Sequence, residues 1–289
     1  EMNQIKIVVG IFLAAAAWTG PVAGQELDGT LKKIKTSATL TLGYREAAPP
    51  FSFPGPDRRP VGYSVDLCMH IASTIQKQLG LADLKLNWVP VSAENRIDMV
   101  LQGKIDLECG TTTATLARQE RVDFSLMTFV DGGSLLTKAD LDLRGVGDLA
   151  GKRIAVIPGT TTEAALAKFL KAEFVTVETV KVKDPGEGVA AIEKGTAHAF
   201  ASDRGLLIGI AMTSKDPKRF GLANVLFSYE PYGFMLRRND AAFRLAVNKA
   251  LAQLYRSGDV AAIYDRWFGS FGKPTPAIQA MYLLNGLPE

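Results

Sequence analysis

Gly110-Thr111-Thr112-Thr113-Ala114-Thr115-Leu116-Ala117-Arg118, running on to Asp123-Phe124-Ser125, is one of two stretches on which the reading of this chain turns. The other is Pro158-Gly159-Thr160-Thr161-Thr162-Glu163, between an apolar strand pattern and a helical one. Each places hydroxyls and unpaired backbone N–H groups where a helix begins, a setting that suits an anion. Two such settings in one chain point to a small carboxylate held between two lobes, and so to binding rather than chemistry.

Working outward, strands and helices alternate. A strand is predicted over 39–43, followed by a loop with Pro49, Pro50, Pro54, Pro56 and Pro60. Ser64 is placed to cap a helix whose apolar positions Leu67, Ile71, Ile75 and Leu79 recur at helical spacing. A strand over 84–89 follows, then a helix that Ser92 can cap and Gly103 ends, then a strand over 105–109. The pattern restarts after Gly151-Lys152, with strands over 153–157, 175–180 and 197–201 separated by helices. Such alternation implies parallel βαβ units, here two in tandem. Extended stretches over 129–137 and 232–236 read as two crossings between the units, a hinge. The expected architecture is a two-lobed α/β fold with the ligand cleft outside the carboxyl ends of the strands. Its parts are lobe one over 36–132, lobe two over 133–231, a return to lobe one over 232–270, and a loosely packed tail over 271–289.

The first 24 residues read as a secretory signal peptide. Lys6 is followed by an apolar run over 7–18 and by Val22-Ala23-Gly24 before Gln25. An uncleaved anchor is the alternative, although the run is short for a membrane span. The full chain has an ordinary globular composition, 47% hydrophobic and 22% charged, and a net charge of +3 that gives no reason to expect nucleic acid. Cys68 and Cys109 are the two cysteines. In an exported chain they can pair, and as two buried free thiols they are equally well explained.

Further segments carry the reading to a family: Gly43-Tyr44-Arg45-Glu46 with Pro50-Phe51-Ser52, Val61-Gly62-Tyr63-Ser64-Val65-Asp66, and Ser92-Ala93-Glu94-Asn95-Arg96. Glu108-Cys109-Gly110 ahead of the threonine run, Ala199-Phe200-Ala201-Ser202-Asp203, Tyr232-Gly233-Phe234-Met235-Leu236-Arg237 and Trp267-Phe268 complete the set. In order and spacing the chain resembles the periplasmic solute-binding proteins of amino-acid ABC transporters, family 3, and most of all their glutamate/aspartate-binding branch. The resemblance implies a type II periplasmic-binding-protein fold. It also implies a monomeric receptor that delivers an acidic amino acid to an inner-membrane ABC permease, without a cofactor. By the same resemblance Arg118 clamps the α-carboxylate with support from Gly110 and Thr112, and Thr160 and Thr161 meet that carboxylate from lobe two. Asp203 accepts the α-ammonium, and Arg45 and Arg96 with Ser92 hold the side-chain carboxylate. Three arginines against one aspartate then leave a positive site for a negative ligand.

The chain departs from that pattern in lobe two. Lys183-Asp184-Pro185 has Pro185 where such proteins often carry a histidine, and Arg204 follows Asp203 where a second aspartate is common. Each site residue also has a plainer role. Arg118 can pair with Glu120 on a helix surface, Arg45 can be a solvated strand end, and Thr160, Thr161 and Asp203 can be helix caps. Arg96 at a helix start opposes the helix dipole, which favours a functional reason for it. His70 and His198 lack metal-ligand spacing and are expected to be structural. The run from Gly145 to Arg153 fails as a phosphate loop because its glycine spacing is wrong and it precedes its strand. The rival function is an enzyme on this scaffold, such as a cyclohexadienyl-type dehydratase, which would need a general acid among Glu46, Glu94 and Glu108. A module feeding a membrane sensor is the third reading.

Overall fold

A computed structural model describes residues 27–141, 143 and 145–288. The signal-peptide reading over 1–24 lies outside the described residues. Helix α1 (Gly29–Ser37) leads into strand β1 (Thr39–Arg45), and a small hairpin, β2 (Phe53–Pro54) and β3 (Pro60–Val61), follows. Then come α2 (Tyr63–Gln78), β4 (Lys85–Val91), α3 (Arg96–Leu101), β5 (Leu107–Cys109), α4 (Leu116–Gln119) and the long β6 (Val122–Asp131). Strand β1 lies parallel between β4 and β5, because the helical crossovers return each strand in the same direction.

After Asp131 the chain enters a second sheet: β7 (Gly133–Lys138), β8 (Arg153–Val156), α5 (Thr161–Ala172), β9 (Glu178–Lys181), α6 (Pro185–Lys194), β10 (Ala199–Asp203), α7 (Arg204–Thr213) and β11 (Phe220–Leu222). It returns with β12 (Glu230–Arg237), then α8 (Ala241–Ser257), α9 (Val260–Phe268) and α10 (Pro276–Asn285). The sheet orders are β4-β1-β5-β12-β6 and β11-β7-β10-β8-β9. Two lobes therefore share two crossings, and these run side by side with Glu230 opposite Asp131. Every residue of β10 is buried, as expected of a central strand covered on both faces.

An aromatic cluster anchors the base of the crossings. Phe51, Tyr63, Phe129, Tyr232 and Phe268 meet mostly edge-to-face at centroid distances between 4.9 and 6.2 Å. Phe129 belongs to the first crossing and Tyr232 to the second, so the hinge strands are bolted to lobe one. The hydroxyl of Tyr63 donates to the Thr128 carbonyl at 2.8 Å.

Several local expectations change in three dimensions. Ser64 does not cap α2: its hydroxyl donates to the Gly110 carbonyl at 2.9 Å, tying the helix to the first threonine loop. Gly62 occupies the capping position at φ 133°, and a Cβ there would meet the Phe51 carbonyl oxygen at 2.2 Å. Ser92, by contrast, caps the turn that leads into α3, its carbonyl accepting the Arg96 N–H at 3.2 Å. It exchanges two hydrogen bonds with Asn95 in an exposed turn ahead of α3. Cys68 and Cys109 are joined, with a Cα separation of 6.2 Å that lies in the usual disulfide range. The bond links α2 to the end of β5, one residue before Gly110. His198 accepts the Arg153 N–H at 3.0 Å, and His70 faces the Ala250 carbonyl at 3.2 Å.

The tail is the clearest correction. Loose packing was expected beyond 271, yet α10 docks on lobe one. Thr275 caps it, Pro276 opens it, and Ile278, Met281 and Asn285 are buried. Asn285 accepts the Met127 N–H at 3.2 Å, and the Tyr282 hydroxyl meets that of Tyr63 at 2.8 Å. Two prolines and a glycine resemble a frayed end in sequence, but they only punctuate the turn into the helix. Deleting the chain after Lys273 removes two buried apolar side chains worth roughly 3–6 kcal/mol together. For a protein of this size the melting temperature then falls by about 6–12 °C, and an unchanged melt by circular dichroism would contradict the docking.

Candidate functional site

The cleft between the sheets is lined from lobe one by Arg45, Arg96, Thr111 and Thr113, and from lobe two by Thr160, Thr161, Thr162, Pro185, Ser202 and Asp203. Arg45 ends β1 and Asp203 ends β10, so both stand at strand carboxyl ends, where open α/β sheets leave a crevice. Of the residues singled out in the sequence, Arg45, Arg96, Thr160, Thr161 and Asp203 line this cleft. Ser92, Gly110, Thr112 and Arg118 stand behind or beside its wall.

Arg45 and Arg96 are buried at 9% and 4% exposure, so neither is a solvated end. Arg45 is held at about 10, first by burial and then by the nearby charge of Arg96, and it is still cationic at neutral pH. Arg118 is lowered to about 10 for the same two reasons in the same order. It does not pair with Glu120. Its Nη1 donates to the Thr113 carbonyl at 2.8 Å, which bends the guanidinium toward the threonine loop. Among the described residues, Arg96 Nε and the Thr112 hydroxyl have no hydrogen-bond partner although both are buried.

Gly110 earns its place by space. A Cβ there would lie 2.1 Å from Glu108 Oε1 and 3.0 Å from Arg45 Cγ. Glu108 itself is fully buried, and its carboxylate oxygens lack a hydrogen-bond partner among the described residues. Its charge supports the protonated forms of Arg45 and Arg118. Of the three carboxylates a dehydratase might have used, Glu46 and Glu94 are exposed and Glu108 lies beneath the loop.

In lobe two, Thr160 caps α5: its hydroxyl accepts from the Glu163 N–H at 3.1 Å and donates to the Ile157 carbonyl at 2.8 Å. The Thr161 hydroxyl instead donates to Glu230 at 2.7 Å. Asp203 holds the capping position of α7 but makes no capping bond with its side chain. Its carboxylate accepts from Thr162 at 2.6 Å and from the Tyr232 hydroxyl. The α7 amides are met from the hinge, where Arg204 N–H donates to the Gly132 carbonyl and Gly205 N–H to Asp131, both at 2.9 Å. Pro185 is the first residue of α6, with Asp184 as its cap, and it lines the cleft without an N–H to donate.

Asp131, Glu230 and Tyr232 join the site without having been marked for it in the sequence, where Glu108 figured only as a candidate acid. Asp131 and Tyr232 lie inside the predicted crossings, Glu230 just ahead of one and Glu108 inside a quoted segment, but nothing in their spacing marks them as buried. With them present, the count of three arginines against one aspartate no longer describes the site: buried acids largely offset the arginines. Asp131 is pushed up to about 7, by burial first and then by the Asp203 charge. Asp203 is pushed up to about 6, by burial first and then by Glu230. The Tyr232 phenol is raised well above its ordinary value by burial and by both aspartates.

Cations on one wall and a carboxylate on the other suit a small dipolar ligand with an anionic and an ammonium end. Two lobes, two crossings and this cleft define a type II periplasmic binding protein. The chain matches the bacterial extracellular solute-binding proteins, family 3, over residues 40–270, and it belongs to that family. It is 40% identical over 257 residues to an L-glutamate/L-aspartate-binding protein of Pseudomonas aeruginosa, covering 89% of this chain and 85% of that one. It is 36% identical over 270 residues to a glutamate/aspartate import solute-binding protein of Salmonella typhimurium, covering 93% and 88%. A mutant of ArgBP from T. maritima superposes with a TM-score of 0.72 at 27% identity, covering 83% of this chain and all of that one. These relatives are described as solute-binding proteins rather than enzymes.

The two aspartates set a pH dependence. Their folded pKa values exceed the ordinary 3.8, so the folded state holds protons that the unfolded chain releases. Their stabilising contribution is complete below about pH 4 and is lost as pH rises through about 6 to 7. Between pH 5 and 8 the ligand-free melting temperature should therefore fall with pH through this pair, and Asp131→Asn should flatten that slope whatever it does to absolute stability. A slope unchanged in Asp131→Asn, measured by scanning calorimetry, would remove Asp131 from this role.

Proposed function

We propose that this chain is a binding receptor for an acidic amino acid, glutamate or aspartate, exported to the periplasm by its first 24 residues. It works as a monomer that delivers its ligand to an ABC permease. The observation that carries the reading is the opposition of Arg45 and Arg96 to Asp203 across one cleft, with Arg118 just behind. The ligands named for the two relatives at 40% and 36% identity support it.

In this reading lobe one spans 36–132 and 232–270, and lobe two spans 133–231. Arg118 clamps the α-carboxylate, with Gly110, Thr112, Thr160 and Thr161 around it. Asp203 takes the α-ammonium and is ionised when it does so. Arg45 and Arg96, with Ser92 near them, hold the side-chain carboxylate. Affinity comes from charge-assisted hydrogen bonds in a cleft with little water. Pro185 offers no donor to a longer side chain from lobe two, which favours aspartate relative to receptors that have a donor there.

Calorimetric titration with glutamate, aspartate, glutamine, leucine and lysine tests the ligand class. Saturable binding of the two acids is expected, and stronger binding of lysine or leucine would sink the reading. Arg118→Ala should cost roughly 2–5 kcal/mol of binding by leaving a carboxylate under-paired. Arg96→Met should weaken glutamate binding more than glutamine binding, and equal losses would give Arg96 a structural role only.

A further inference from the structure

We propose that Glu230 is the latch of the cleft: its carboxylate joins the lobes directly and favours the closed arrangement. Glu230 is the first residue of β12, where the second crossing re-enters lobe one, and it is 1% exposed. One carboxylate oxygen, Oε2, accepts from the Thr113 hydroxyl at 2.6 Å and from the Thr161 hydroxyl at 2.7 Å. Thr113 sits in the loop after β5, in lobe one, and Thr161 in the first turn of α5, in lobe two. The other oxygen accepts from Ser228 at 2.7 Å, on the segment that leads into the crossing. The two threonine hydroxyls stand 3.2 Å apart.

Each threonine hydroxyl has a single proton to donate, and both are directed at the same oxygen. The close approach of Thr113 and Thr161 is thus made favourable by the acceptor between them. A carboxylate oxygen takes two donors readily, and such charge-assisted bonds are stronger than neutral ones. The positive end of the twelve-residue α5 adds to the attraction. Thr113 stands in lobe one and Thr161 in lobe two, so the two bonds to Glu230 Oε2 exist together only with the lobes close. An interaction present in one state alone shifts the equilibrium toward that state. In this arrangement the Thr161 hydroxyl is a closing contact. Glu230 also acts on the ligand groups, since its charge supports protonated Arg118 and raises the Asp203 carboxyl.

The use of glutamate as a probe rests on the proposed receptor function, so the experiment reads closure in two ways. Spin labels at Lys77→Cys on α2 and Lys168→Cys on α5 report the separation of the lobes in the ligand-free full chain. Thr161→Val and Glu230→Ala should broaden that distribution toward longer distances, and Thr161→Ser should restore the original one. With glutamate, stopped-flow binding should show dissociation accelerated about tenfold in Thr161→Val and in Glu230→Ala, with association little changed. The double variant should be no worse than Glu230→Ala alone, because that change already removes the Thr161 bond. Thr161→Val keeps the shape of the side chain and carries the test if Glu230→Ala does not fold. Unchanged distances in Thr161→Val, or a Thr161→Ser variant that behaves like the valine, would overturn the latch. If the wild type binds neither acid, the receptor reading fails and the distance measurement still decides the latch.

Discussion

Charge buried at the junction of two sheets is the condition that the rest of this structure answers. Arg45, Arg96 and Arg118 converge with Glu108, Asp131, Asp203 and Glu230 around one cleft, and an isolated ion there would carry a heavy desolvation penalty. The fold meets it with hydroxyls. Thr113, Thr161, Thr162, Ser228 and Tyr232 all donate to these carboxylates. The threonine runs are thus less a lining of small residues than a stock of donors that keeps acids charged, or shares their protons, away from water.

The supports of the site are correspondingly stiff on one side and divided on the other. Lobe one fixes its loop by the Cys68–Cys109 bond, by Ser64 on the Gly110 carbonyl, and by the aromatic cluster beneath the crossings. The contacts of lobe two reach across the hinge, through Asp131 to α7 and through Glu230 to α5. In the receptor proposed above, preorganised cations in one lobe and partners in the other suit capture by closure, in which a ligand meets a formed half-site and completes the second half as the cleft shuts.

Much of the architecture was legible in the chain. Apolar spacing at Leu67, Ile71 and Ile75 marked α2, the restart after Lys152 marked the second sheet, and the extended stretches near 129 and 232 marked the crossings. Capping was legible only in part. Thr160 caps α5 as a local reading suggests, whereas Ser64 and Asp203 occupy positions that look like caps and spend their side chains elsewhere. A local motif states what a side chain can do with its own backbone. It does not state which competing partner lies across the fold.

The sequence by itself determined the order of elements, the positions of the loops that open into the cleft, and the arginines and aspartate offered there, because these depend on periodicity and on the chemistry of short segments. Tertiary structure alone decided that Cys68 meets Cys109, that α10 packs on lobe one, and that Glu230 receives the Thr161 hydroxyl. Each of these joins residues at least 41 positions apart in the chain. Burial favours them, since a carboxylate or hydroxyl excluded from water is stabilised by whatever partner packing brings, and sequence spacing carries no record of that distance.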